Sequence, residues 1–485
     1  MKKKLLALLL VAVMLVSMLA AVSCGDNTDD NGDDKNQPGV AAGMASYDVP
    51  AEGYDGSAVT ITFYHTMGKT NQEVLEYYIK EFNKLYPNIT VEHAPMGGYP
   101  DLRDQIKTQL TAGAQPNIAY CYPDHVALYN VTKKVIPLDN LIGSKIEVTD
   151  ALGNKTILGL TDEQLADFVE GYYKEGAAFD TLGTMYTLPM SKSTEALYYN
   201  KTFFEKHGLK VPTTWDEMEQ VCEAIKKIDP NCIPLGYDSE ANWFITMCEQ
   251  SGSPYTSLDK KNHFVFDNET NRAFVKRFNS WYKKGYITTE EIYGSYTSGL
   301  FTATEGQRCY MVIGSTGGAK YQNPPTVDGQ PLFESAMATP PQLDPSNPKV
   351  ISQGPSLCLF ESENPQEVVA SWLFMEFLTT NVEFQAAFSM ETGYAPVIKS
   401  VQNNEVYKNW LSKANGYNNL TAMSVQLALS QVDAYFVSPA FNGSSMARDQ
   451  VGLLLKNALV KTEDIDAAIA KLFKDAVGKC KFSVK

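Results

Sequence analysis

VTITFYHTMGKTNQEVLEYYIKEFNKLYPNITVEHAPMGGY, residues 59–99, decides the fold. Val59, Ile61 and Phe63 alternate with Thr60, Thr62 and Tyr64, the period of two of a strand with one well-buried face. After a polar turn at His65 to Lys69, Val74, Leu75, Tyr78, Ile79, Phe82 and Leu85 recur at three- and four-residue spacing, the stripe of an amphipathic helix. Thr70 with Glu73 reads as a capping box at its start, and Pro87 stops it. Ile89 and Val91, set among Thr90 and Glu92, restart the strand period. Strand, helix and strand in about 35 residues form a βαβ unit, with parallel strands and a right-handed crossover. In an open parallel sheet the ligand crevice lies beyond the carboxyl ends of the strands. That rule directs Tyr64, His65, Thr66 and Tyr99 toward it.

Outward from this unit the pattern repeats. Leu102, Ile106 and Leu110 mark a helix over 101–110, and Asn117 to Tyr122 reads as a buried strand ending at Pro123, Asp124 and His125. A third crevice-facing loop therefore carries Tyr122 and Asp124. The runs 186–189 and 196–200 read as strands either side of a polar segment, Met190 to Glu195. Beyond Asn200 the pattern changes to helices, with a Thr214 and Glu217 capping box before Trp215. Trp243 lies near the start of a helix over 240–252. Cys309 to Ile313 is a buried strand that ends in Gly314, Ser315, Thr316, Gly317 and Gly318. This turn lacks the lysine of a P-loop and does not fit G-x-G-x-x-G, so it reads as a strand-to-helix turn offering backbone N–H groups. Ser352 to Phe360 is one more strand, and Asn364 caps a helix with Pro365 in its first turn.

The amino terminus has a different character. Lys2, Lys3 and Lys4 precede an apolar run of about 17 residues, and Ala21, Val22, Ser23 and Cys24 resemble a lipobox, with alanine where leucine is commoner. This implies a lipoprotein signal peptide over 1–23, lipid on Cys24 and anchoring at the extracellular face of a bacterial cytoplasmic membrane. An ordinary secreted protein and an uncleaved anchor are the alternatives. Residues 24–57, rich in Asp, Asn and Gly at their start, are expected to form a disordered tether.

About 430 residues remain, enough for two lobes. The net charge of −15 and pI near 4.9 argue against nucleic acid and against an anionic membrane surface. Of eight cysteines, Cys24 is set aside, and the odd remainder shows no paired spacing, so buried thiols are expected. No zinc-type cluster, H-E-x-x-H or G-x-S-x-G occurs; no metal and no cofactor are expected.

The order of these pieces resembles the family-1 extracellular solute-binding proteins of ABC importers, the group holding the maltose-binding and glycerol-phosphate-binding proteins. The matching features are Val59 to Tyr86, Pro116 to Asp124, Glu195 to Lys201, Pro212 to Trp215, Gly306 to Gly314, the Gly354 strand and the Thr392 to Val397 turn. The resemblance implies a two-lobed periplasmic-binding-protein-like fold of type II. Each α/β lobe holds a mainly parallel sheet flanked by helices, and hinge crossings near 195–199, 307–309 and 354–359 join them. It assigns residues 58–195 and 308–355 to the first lobe, and 196–307 and 356–485 to the second. The Phe63 to Met67 and Gly98 to Tyr99 segments resemble the glycerol-phosphate branch most, and by position that branch's ligand contacts fall on Tyr99, Tyr122 to Asp124, Ser193, Trp243, Ser315, Gly354 and Tyr394. The implied partners are a carbohydrate and the membrane subunits of an ABC permease, with the protein a monomer. Where the glycerol-phosphate branch places a phosphate-pairing arginine, this chain has Val437, Ser438 and Pro439, with Arg448 further on. A neutral sugar is therefore favoured over glycerol phosphate or another small polyol derivative.

Residue chemistry agrees with that choice. A sugar presents an apolar C–H face and a rim of hydroxyls, so its site needs flat aromatics and fixed polar groups. Tyr64, Tyr99, Tyr122, Trp243 and Tyr394 are candidates for faces, and His65, Asp124 and Ser193 for rims. Core packing is the rival role for Trp243, and helix capping for Asp124. A secreted glycoside hydrolase is a third reading, since its paired carboxylates are a spatial property.

Overall fold

Val59–His65 and Ile89–Pro95 pair in parallel, Val59 opposite Ile89 through His65 opposite Pro95, around the Lys69–Leu85 helix. The helix buries Leu75 and Phe82 and ends before Pro87, but it begins at Lys69 with Gly68 as an extended N-cap that has no side-chain hydrogen bond. Thr70 therefore lies inside the first turn rather than capping it. The capping box at Thr214 and the Asn364 cap form as read. This computed structural model describes residues 44–179, 182–259, 261–414 and 419–483. Cys24, the signal peptide and the tether to residue 43 lie outside the described residues. The remainder of the expected tether, 44–57, is not free: Tyr47, Val49 and Tyr54 pack on the first core, and Gln366 bonds to Gly53 and Asp55.

Two five-stranded sheets organise the chain. In the first, Ile89–Pro95, Val59–His65 and Ile118–Cys121 are parallel, and Ser356–Leu359 followed by Leu188–Pro189 extend it antiparallel. In the second, Met311–Ser315, Leu235–Tyr237 and Ile287–Thr289 are parallel, and Glu195–Asn200 and Ser335–Ala338 add antiparallel pairs. Each sheet has its own apolar core. The first core joins Phe63 and Phe82 to Trp372 and Phe374 of the Pro365–Thr380 helix; the second joins Tyr237 and Trp243 to Phe278, Leu455 and Phe473.

This pairing corrects the expected partition of the chain. Met311–Ser315 is central in the second sheet, not part of the first lobe, and Ser356–Leu359 lies in the first sheet, not the second. The helices Pro365–Thr380 and Val382–Thr392 pack in the first core, and Ser444–Leu459 in the second. The chain therefore crosses between lobes around 190–195, 351–356 and 431–443, and no crossing occurs at 307–309. The reason is hydrogen-bond register: a strand joins the sheet whose free edge it completes, and a buried unpaired edge is costly.

The first two crossings are sewn together. Ser193 and Gln353 exchange backbone bonds of 3.0 and 2.8 Å, Thr194 Oγ1 donates to Ile351 O at 2.8 Å, and Lys192 pairs with Ala395. Beneath them lies a buried ion pair, Lys192 with Glu175, whose second oxygen accepts from Ser352. Gly354 has φ +92°, and a Cβ there would stand 2.4 Å from Ser191 O. Only glycine fits so close a backbone approach in a left-handed conformation. Cys121, Cys222, Cys232, Cys248, Cys309 and Cys358 are buried thiols.

Candidate functional site

The carboxyl ends of the first sheet's parallel strands carry Tyr99 and Tyr122. Their rings lie 4.5 Å apart at 38°, and both are half-buried. Tyr99 is within hydrogen-bonding reach of Thr66 and Tyr394, and Tyr122 takes a backbone N–H from Gly354. Burial pushes the Tyr99, Tyr122 and Tyr394 phenols above their ordinary value, so they remain neutral hydrogen-bonding groups. The Tyr394 ring rests on the backbone of Gly317, where a Cβ would stand 2.5 Å from it. Gly317 N–H donates to Ser315 Oγ, which lies 3.3 Å from Ser193 Oγ. The tyrosines of the first lobe thus meet the glycine turn of the second, over the crossings.

Asp124 is half-buried in the first turn of the Pro123–Tyr129 helix, whose N-cap is Tyr122. It makes no capping bond, and its Oδ2 is buried without a hydrogen-bond partner. A buried acceptor held this way is costly until a donor reaches it.

The second lobe contributes residues that sequence reasoning missed. Tyr237 pairs with Thr289, so the next residues, Asp238 and Glu290, stand side by side at the ends of adjacent parallel strands. Asp238 Oδ1 accepts from the Thr297 N–H and hydroxyl, both at 2.7 Å. Burial and the Asp238 charge push the Glu290 carboxyl up to about 7. Tyr296 lies within electrostatic reach of Glu290, Asp238, Tyr122 and Tyr321. Tyr296 and Tyr321 are 65% and 62% exposed, large rings left in solvent opposite the half-buried tyrosines. Tyrosines beside strand-end loops were the available signal, but 27 tyrosines gave no means of choosing among them. Arg448 also reaches this region: it is hydrogen-bonded to Asn242 and acts on Tyr122, Tyr255 and Glu195. Glu195 is pushed up to about 7 by burial, its Oε2 taking the Tyr237 hydroxyl at 2.6 Å.

Three expected contacts lie elsewhere. Trp243 is fully buried in the second core, stacked 4.7 Å from Tyr237 at 11° and 4.1 Å from Phe278, so it is core and not a face of the cleft. Tyr64 turns to the Tyr99–Ala112 helix, its hydroxyl accepting from Gln109 at 3.3 Å. His65 is wholly buried among Phe63, Tyr120 and His93. The strand alternation read correctly for Phe63 continues through His65 and sends it inward. His65 Nδ1 accepts from Met67 N–H, and Nε2 lies 2.9 Å from His93 Nδ1.

Burial, with His93 adding to it, pulls the His65 imidazole down to about 3. The folded state therefore binds fewer protons than the unfolded state, and stability is full above pH 6.5 and erodes as pH falls toward 3. Urea titrations are expected to show a loss of roughly 2 kcal/mol between pH 6.5 and 5 from this group. A His65→Gln variant should show a flatter profile over that interval, whatever its stability at pH 7.

Comparison with known proteins bears on the fold and the family. A maltotriose-binding protein of Pyrococcus abyssi is 25% identical over 354 residues, 72% of this chain and 69% of its own. A multiple sugar-binding protein of Streptococcus mutans is 21% identical over 356 residues, 72% of this chain and 77% of its own. The crystal structure of UgpB from Mycobacterium tuberculosis in complex with glycerophosphocholine superposes with a TM-score of 0.68 at 18% identity, covering 88% of this chain and 99% of that one. Maltose-bound MalE3 of T. maritima superposes with a TM-score of 0.67 at 18% identity, covering 87% and 100%. These likenesses give the fold, two α/β lobes of the type II periplasmic-binding arrangement. Residues 77–414 match the family described as bacterial extracellular solute-binding protein, and this chain belongs to that family.

Proposed function

We propose that the protein captures a carbohydrate between its lobes and delivers it to the membrane subunits of an ABC permease, without changing it chemically. The observation that carries this reading is the facing arrangement of rings: Tyr99, Tyr122 and Tyr394 half-buried on one side, Tyr296 and Tyr321 exposed on the other. Flat rings match the C–H faces of a pyranose, and Asp124, Asp238 and Glu290 supply acceptors for its hydroxyls. The curated relatives named for maltotriose and for multiple sugars support the ligand class.

The glycerol-phosphate alternative has relatives behind it as well, such as the 24% identical sn-glycerol-3-phosphate-binding protein of Salmonella typhimurium. The electrostatics favour the neutral ligand. Arg448 reaches the cleft, but it is already hydrogen-bonded to Asn242, and the acidic side chains Asp124 and Asp238 beside it are unsuited to a phosphate. On this reading the protein is a lipid-anchored monomer outside the cell, held through Cys24.

A thermal-shift screen against mono- and oligosaccharides, polyols and glycerol phosphates tests the proposal. Stabilisation by a saccharide with no product formed supports it; stabilisation by phosphates alone, or turnover of a glycoside, overturns it. Tyr122→Ala is expected to weaken the saccharide identified by about tenfold or more in titration calorimetry, because a stacking face and its burial are lost together.

A further inference from the structure

Two sets of polar contacts run from lobe to lobe beside the tyrosine cleft. On the Tyr99 and Tyr122 side, Arg103 Nη1 donates to Asp449 Oδ2 at 2.9 Å, to Asp449 Oδ1 at 3.1 Å and to Ser445 Oγ at 2.9 Å. On the Tyr321 and Tyr394 side, Lys320 Nζ reaches Thr70 Oγ1 at 3.0 Å and Glu391 Oε1 at 3.1 Å. The first links helices that pack in different cores, and the second links the Thr316–Gln322 turn, which packs on the second sheet through Ala319, to helices of the first core.

We propose that Arg103 is an inter-lobe latch: a positioning residue that sets how far the lobes stand apart, and through this the affinity for ligand, while touching no ligand itself. Its helix, Tyr99–Ala112, is locked to the first core by Leu102, Ile106 and Leu110. The Asp449 helix, Ser444–Leu459, is locked to the second by Ala447, Val451, Leu454 and Leu455. Neither end of the bond can follow the other when the lobes separate, so the contact exists only over a narrow range of inter-lobe angle. Asp104 holds Arg103 Nε at 2.8 Å and aims the guanidinium at Asp449. The Arg103 side chain is 12% exposed and that of Asp449 42%, so the pair is partly withdrawn from water and less screened than a surface bridge. The other charged groups that face it are Arg448 and Asp124, of opposite sign to each other.

A latch of this kind raises the fraction of molecules poised to bind. Apparent affinity is the intrinsic affinity scaled by that fraction, so removing the latch weakens binding with every ligand contact intact. The contact also closes on the side where Tyr99 begins its helix, which couples the position of that ring to the lobe angle.

The experiment is small-angle scattering of the ligand-free protein, wild type against Arg103→Asp, Asp449→Arg and the Arg103→Asp/Asp449→Arg double variant, with melting midpoints to verify folding. The expected result is a larger radius of gyration for each single variant and a return to the wild-type value for the charge-swapped pair. With maltotriose as the probe, the singles are expected to bind about tenfold more weakly and the pair to recover. Singles that scatter as wild type, or an expansion that the swap fails to reverse, overturn the latch. If Arg103→Asp does not fold, Asp449→Asn, on the more exposed side, carries the same scattering test. The latch rests on the scattering arm alone: absence of maltotriose binding in every variant would count against the carbohydrate reading and leave the latch decided by the radius of gyration.

Discussion

Replacing Lys192 with methionine is expected to destabilise the folded protein by about 3–5 kcal/mol, measured as a lower urea midpoint with an unchanged slope. Lys192 and Glu175 are 1% and 7% exposed, so bulk water does not reach the carboxylate that loses its ammonium partner. The residual carboxylate keeps the Ser352 hydroxyl as a donor. A buried charge left alone costs more than the pair was worth, so the double variant Lys192→Met/Glu175→Gln should recover most of the loss. A double variant no better than the single would show that the methionine, not the orphaned charge, is at fault. The location gives this pair a second consequence. Lys192 lies in the first crossing, bonded to Ala395, and Ser352 in the second, its N–H on Phe436 O at 3.0 Å. Folded molecules of the single variant should therefore show weakened protection from hydrogen exchange at 190–195 and 351–356 before the sheets themselves open.

Trp243→Ala is the second large effect, and its expected signature separates core from cleft. The indole is fully buried, stacked on Tyr237, in contact with Phe278 and 6.0 Å from the Trp215 ring. Its removal leaves a cavity that a packed core relaxes into only partly, and a loss of about 3–5 kcal/mol is expected in chemical denaturation. Ligand affinity measured on the fraction that stays folded should change far less than in Tyr122→Ala. A Trp243→Ala protein with native stability and abolished binding would return this residue to the cleft. The ring partners explain the assignment: a residue used to stack a sugar keeps one face open, and Trp243 has Tyr237 and Phe278 on it.

The residues that the proposed cleft takes from the first lobe were legible because strand ends can be read locally. Tyr99, Tyr122 and Asp124 follow apolar runs that stop at glycine or proline, and Tyr394 follows Gly393 in a turn; all remain partly accessible. His65 and Trp243 failed for the same reason as each other. A polar or amphipathic side chain near an element's end satisfies the rule for a cleft residue, yet whether it faces in or out depends on one step of strand or helix phase. Tyr296, Tyr321, Asp238 and Glu290 were not found because they converge from three separate segments of the second lobe. Arg103 and Asp449, 346 positions apart, had no local mark of any kind.

The sequence by itself determined the βαβ start, the helix stripes, the Thr214 and Asn364 caps, the order of the elements and thereby the two-lobed α/β class. These rest on spacing within a few turns of chain, where periodic burial and local hydrogen bonds act. Only the tertiary structure decided which lobe owns Met311–Ser315 and Ser356–Leu359, where the crossings lie, and which rings face each other. Those outcomes are set by long-range sheet register and by the contact of two separate cores. Both compare the free energies of whole arrangements, and no window of neighbouring residues contains that comparison.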